Sequence, residues 1–167
     1  REFRREQARQ RLPHIRLNLY LALALVVAFG GLNTLVLGAS MPSSIWAVQF
    51  GVLLPVVGLA VAVTHLADGR RVYPRVAPLL VPVAGLAVIA IELQAAKLGV
   101  HSLFSTVVLA SIFTYYLVGL LFYEAVRANA MTWAAYVAFG LVSGVADEHV
   151  VYNALVLLCA NLVGASV

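Results

Sequence analysis

The chain has one cysteine and one lysine in 167 residues, and only seven Asp and Glu. Each scarcity excludes something. The lone Cys159 has no partner for an intrachain disulfide, and its apolar surroundings predict a small buried hydrophobe. The lone Lys97 falls in an expected loop, so no lysine stands mid-membrane for a retinal-type Schiff base. There is no His-Glu-x-x-His helix, no Gly-x-Ser-x-Gly elbow and no P-loop. Paired cytosolic carboxylates for phosphoryl chemistry are missing too, and Asp68 reads as a turn residue. These absences leave the segment without catalytic residues.

What remains is apolar: 63% hydrophobic, 11% charged, with a mean hydropathy of +0.97. A soluble fold of this length could not hide so much apolar surface, so the composition predicts an integral membrane protein. A helical span needs about 20 apolar residues. Six such stretches nearly exhaust the sequence, at about 16–37, 44–66, 76–96, 103–125, 131–146 and 149–167. The expected fold is an all-α membrane protein, a six-transmembrane-helix bundle over 16–167. A basic juxtamembrane segment at 1–15 precedes it, either as an inner-surface helix or as the end of an earlier segment. A first residue other than Met suggests a longer protein, and the full-length first apolar run lacks a signal-peptide cleavage site.

Ten of the eleven basic residues fall on one side of this pattern. Arg1, Arg4, Arg5, Arg9, Arg11 and Arg16 lead into the first span, Arg70, Arg71 and Arg75 lie between spans two and three, and Arg127 follows span four. Basic residues are enriched in cytoplasmic loops, so both termini are expected in the cytosol of a bacterial inner (plasma) membrane protein. The pI near 9.6 then reflects topology and attraction to anionic headgroups, with no nucleic-acid partner implied. An inner turn is expected at Arg127 and Asn129. Tyr20, Tyr73, Tyr123, Trp133 and Tyr136 are placed near the inner interface, and Trp46 and Tyr152 near the outer one.

Polar side chains inside spans are costly, so each is a functional candidate. Glu92 shares a helical stripe with Gly85, Val88, Ile89 and Ala96, a mostly small face suited to close packing. It reads either as a carboxylate hydrogen-bonded to another helix or as a ligand, proton or metal site. Asn153 continues a stripe from His149 through Leu157 and Ala160 to Asn161 and Gly164 on the exit helix, where any conformational signal has to pass. Asn33 and Gln49 fall at similar depth. With Glu92, His149 and Asn153 they outline a possible outward-opening pocket for a lipophilic or small ligand. At the outer rim, His101, Asp147, Glu148 and His149 are weak metal candidates, although acidic residues at a helix start also serve as caps. Pro78 and Pro82 are expected in the first turns of span three. Pro55, in mid-span two, is expected to kink its helix and free a carbonyl.

Phe29-Gly30-Gly31-Leu32-Asn33, then Gln49-Phe50 and Pro55, resembles the first two helices of the six-helix membrane domain of bacterial class III adenylate and guanylate cyclases. Related modules precede some diguanylate cyclases. Phe113 to Ala125, with Tyr115, Gly119-Leu120 and Phe122, is similar to the fourth helix of that domain. Tyr152-Asn153 through Ala160-Asn161-Leu162-Val163-Gly164 is similar to its sixth. The chain departs from the family in carrying Asn33 where Asp is expected and Gln49 where Arg is expected, replacing a charged pair with two amides. The resemblance implies a homodimer that anchors and senses. It also implies ATP and Mg²⁺ chemistry in a downstream cytosolic domain that makes cyclic AMP. A small transporter or channel subunit, the sensor of a diguanylate cyclase, and a purely structural anchor are the alternatives.

Overall fold

A computed structural model describes residues 2–37, 42–98, 110, 114, 122–142 and 148–166. Among them are five helices and no strand: α1 (Glu2–Leu37), α2 (Ser43–His65), α3 (Gly69–Lys97), α4 (Phe122–Val142) and α5 (Glu148–Ser166). Three stretches are long and apolar enough to cross a bilayer: Leu12–Leu35, Ser43–His65 and Arg71–Lys97. Val151–Leu162 on α5 is a shorter apolar stretch. The outer surface is equally apolar, with Leu35, Leu79, Leu141 and Val142 each more than two-thirds exposed. Such a surface is compatible with a lipid surround.

Several boundaries differ from the sequence expectation. The lead-in does not stand apart from the first span, because α1 runs unbroken from Glu2 with Pro13 inside it. Helix α3 begins at Gly69, so Pro78 and Pro82, with Pro74, lie within it rather than in its first turns. Each proline withholds one amide from the carbonyl four residues back. The expected inner turn at Arg127 and Asn129 is instead continuous helix. Asn129 is buried there while Arg127 faces outward. No glycine or proline interrupts 122–139, so local chemistry gives the helix no reason to stop.

Helix α2 carries a register change. Gln49–Leu53 is π-helical, and the Leu54 amide donates to the Gln49 carbonyl five residues back. Pro55 follows at once and cannot donate to Gly51, so the widened turn sits where an α-helical bond is missing in any case. The expected effect of Pro55 thus takes the form of a π-bulge. It turns Gln49 into the protein, leaving it 2% exposed.

The contacts set the helix directions. Arg16 meets Thr64 while Asn33 meets Gln49, so α1 and α2 are antiparallel. Ser44 bonds Gln94 near the other end of α3, so α2 and α3 are antiparallel. Gly85 lies against Thr132 and Glu92 against Tyr136, so α3 and α4 run the same way. Only five residues separate α4 from α5. They reach at most about 18 Å, so α5 starts at the end where α4 finishes. Two apolar clusters hold the bundle. Ile15, Leu19, Ala60, Val63, Tyr73 and Ala77 join α1, α2 and α3, while Leu53, Ala87, Val88, Ile89, Leu93, Tyr136 and Leu157 join α2 through α5.

Candidate functional site

The polar candidates gather into two hydrogen-bonded groups. In the first, the Asn33 amide Nδ2 donates to Gln49 Oε1 at 3.2 Å, and Gln49 Nε2 donates to the Val26 carbonyl at 2.9 Å. The approach depends on Gly30. A Cβ there would stand 2.5 Å from Phe50 Cζ and 3.0 Å from Gln49 Nε2. The Phe50 ring in turn lies 4.3 Å from that of the exposed Trp46. The two amides share a hydrogen bond without placing a charge in the interior, which would be far more costly.

The second group is centred on Glu92. Its Oε1 accepts from the Tyr136 hydroxyl at 3.2 Å and from Asn153 Nδ2 at 3.3 Å. Three helices therefore converge on one carboxylate oxygen: α3 supplies the acceptor, and α4 and α5 supply the donors. One turn earlier on α4, Trp133 Nε1 donates to the Ala154 carbonyl at 3.0 Å, tying α4 to α5 a second time. Close packing brings α3 and α4 together below this point, because a Cβ on Gly85 would lie 2.8 Å from Thr132 Oγ1. Val88 and Ile89, on the Glu92 stripe, are buried in the core, as that stripe predicts.

The five residues expected to line one pocket are thus divided among helices and groups. Asn33 pairs with Gln49, and Asn153 pairs with Glu92. Gln49 directs its hydrogen bonds to Asn33 and Val26, and none of them reaches Glu92. The His149 side chain lies outside the described residues, as does that of Glu148; His101 and Asp147 lie outside them entirely. Among the described residues no group of three His, Cys, Asp or Glu side chains could hold a metal. On α5, Ala160 and Asn161 are half-buried, while the surroundings of Gly164 fall outside the description.

Three placements are corrected. Tyr136 is only 1% exposed and bonds Glu92, so it is an interior residue rather than part of an interfacial belt. Tyr73 is likewise buried in the core. Cys159 is exposed on the outer face of α5 instead of buried. The sequence reads Tyr136 and Trp133 as interfacial aromatics rather than as interior donors, and does not single out Ser44 or Thr132. Tyrosine and tryptophan in an apolar run carry the same signal whether their polar tips seek headgroups or a buried acceptor. Compared with protein-family models, with curated proteins and with solved structures, the chain matches none.

Proposed function

We propose that this chain is the membrane-anchoring, dimerising and ligand-sensing part of a bacterial membrane-bound adenylate cyclase, with six crossings and both ends in the cytosol. Helix direction supports six crossings. Because α3 and α4 run the same way, both can span a bilayer only if the chain crosses back between them, and this reading assigns that crossing to the roughly 23 intervening residues. As a helix they reach about 35 Å, enough for a hydrocarbon core of about 30 Å. In this reading that stretch is the fourth span. It also puts the start of α1 and the end of α5 on one side, and the arginine distribution makes that side the cytosol. ATP and Mg²⁺ belong to the cytosolic domain this reading places after α5.

The observation that carries the sensing role is the three-helix contact at Glu92. Helix α5 leads out of the membrane, and its Asn153 is held by an acceptor on α3 that also holds α4. A small or lipophilic ligand that supplies its own donor to Glu92 competes with Asn153 and Tyr136, and so binds the two arrangements of α5 with different affinity. In-frame sequence beyond Val167, with cyclic AMP formation measured in membranes carrying the whole product, tests the reading. A cyclase domain whose output responds to Asn153→Leu supports it. A product without such a domain, together with solute flux into liposomes, overturns it in favour of a transporter or channel subunit.

A further inference from the structure

Among the described residues Arg16, at the start of the first apolar stretch, has no carboxylate partner. Arg16 sits between Ile15 and Leu19, both buried against Val63 and Tyr73, and is itself half-buried. One guanidinium nitrogen, Nη2, donates to the Thr64 carbonyl in the last turn of α2. Its Nε is buried and meets no acceptor. Arg16 forms no ion pair among the described residues, and Asp68, in the adjoining turn, is exposed. One turn along α1, Tyr20 hydrogen-bonds the His65 ring at 2.8 Å beside Thr64. The start of α3 abuts the same carbonyl, since a Cβ on Gly69 would lie 2.9 Å from the Thr64 oxygen. Arg71 and Arg75 follow, exposed and one turn apart.

A guanidinium with one nitrogen held by a helix end and no carboxylate beside it is an incomplete ion pair. The missing partner is a planar or tetrahedral oxyanion able to take paired N–H donors. At the ends of three bilayer-length helices, the abundant oxyanion is the phosphate of a phospholipid. We propose that Arg16 binds the headgroup phosphate of an anionic phospholipid and thereby fixes the ends of α1, α2 and α3 to the leaflet, the exposed Arg71 and Arg75 adding positive charge near the start of α3. This rests on the membrane reading above, and is independent of the cyclase assignment.

Native mass spectrometry of the full chain released from micelles, with phosphatidylglycerol and phosphatidylcholine as probes, tests it. Wild type is expected to retain phosphatidylglycerol preferentially. Arg16→Gln should weaken that retention about tenfold, as loss of a charge-assisted contact implies, and Arg75→Gln should weaken it less. If Arg16→Gln loses its helical circular dichroism, Arg16→Lys decides, because lysine keeps the charge but loses the paired donors. Retention reduced in that variant supports the site, and retention equal to wild type overturns it. Equal loss in Arg16→Gln and Arg75→Gln would mean diffuse charge alone, which also overturns it. Displacement of the lipid by excess inorganic phosphate would identify a free-phosphate site and overturn the lipid assignment. Release of the chain from membranes by carbonate would defeat the membrane reading itself, a result distinct from all of these.

Discussion

Gly85→Ala should change sign with the residue at position 132. In the wild-type protein the new Cβ would stand 2.8 Å from Thr132 Oγ1 and 3.2 Å from its Cγ2. Carbon atoms pack best near 3.5–4.0 Å, so α3 and α4 have to separate by roughly half an ångström or Thr132 has to turn. Thr132 is held by its own bond to the Ala128 carbonyl at 2.9 Å, which resists turning. Overpacking of this kind costs about 1–3 kcal/mol. Replacing glycine by alanine within a helix returns about 1 kcal/mol, so a net loss near 1 kcal/mol is expected. In a Thr132→Ala background both clashing atoms are gone and the nearest neighbour is Cβ, at 3.6 Å. Gly85→Ala should then stabilise by about 0.5–1 kcal/mol, a coupling of about 1–2 kcal/mol between the two sites. Reversible unfolding of the four variants in mixed micelles reads this directly. The same effect of Gly85→Ala in both backgrounds would show that α3 and α4 do not meet here, and would remove the parallel arrangement from which a fourth crossing is argued.

Gly30→Ala should destabilise by about 1–3 kcal/mol through Phe50, and Phe50→Leu should recover part of the loss in the same unfolding assay. Gln49→Leu removes the Asn33 contact and should cost about 1 kcal/mol, since interhelical hydrogen bonds in membranes are worth about 0.6–2 kcal/mol. Tyr136→Phe should cost a similar amount with the fold retained, whereas Trp133→Phe should loosen α4 from α5, seen as faster hydrogen exchange around Ala154. Cross-linking through the exposed Cys159 should capture a homodimer if the exit helices of two copies adjoin, and monomer alone in membranes would count against dimerisation through α5.

The apolar stretches themselves were legible in composition, because a run of about 20 apolar residues stands out whatever the helix packs against. The helix boundaries were less legible. Hydropathy separates the charged Glu2–Pro13 from the span that follows but gives no sign that one helix carries both, and Arg127 and Asn129 look like a turn although the helix carries them through. Glu92, Gln49, Asn33 and Asn153 were identifiable because a polar group in an apolar run needs a partner. Which partner it finds depends on crossing angles and local register, and these are not encoded at the polar residue. The π-bulge before Pro55 is the clearest case: it rotates Gln49 inward toward Val26 and Asn33, and a regular helix drawn through 44–66 would not reveal that rotation. Tyr136 failed for a different reason, since its hydroxyl found a carboxylate in the interior where an interfacial position was expected.

Glu92 holds α5 through Asn153, and α4 through Tyr136. That this carboxylate positions α5 is tested most directly by a distance between spin labels on the native Cys159 and on Leu79→Cys, both exposed positions on α5 and α3. Glu92→Gln, which keeps an acceptor oxygen, should preserve the distance distribution of the otherwise wild-type protein. Glu92→Leu, which removes the acceptor for both Tyr136 and Asn153, should broaden or shift it. An unchanged distribution in Glu92→Leu would contradict the claim that the carboxylate positions α5.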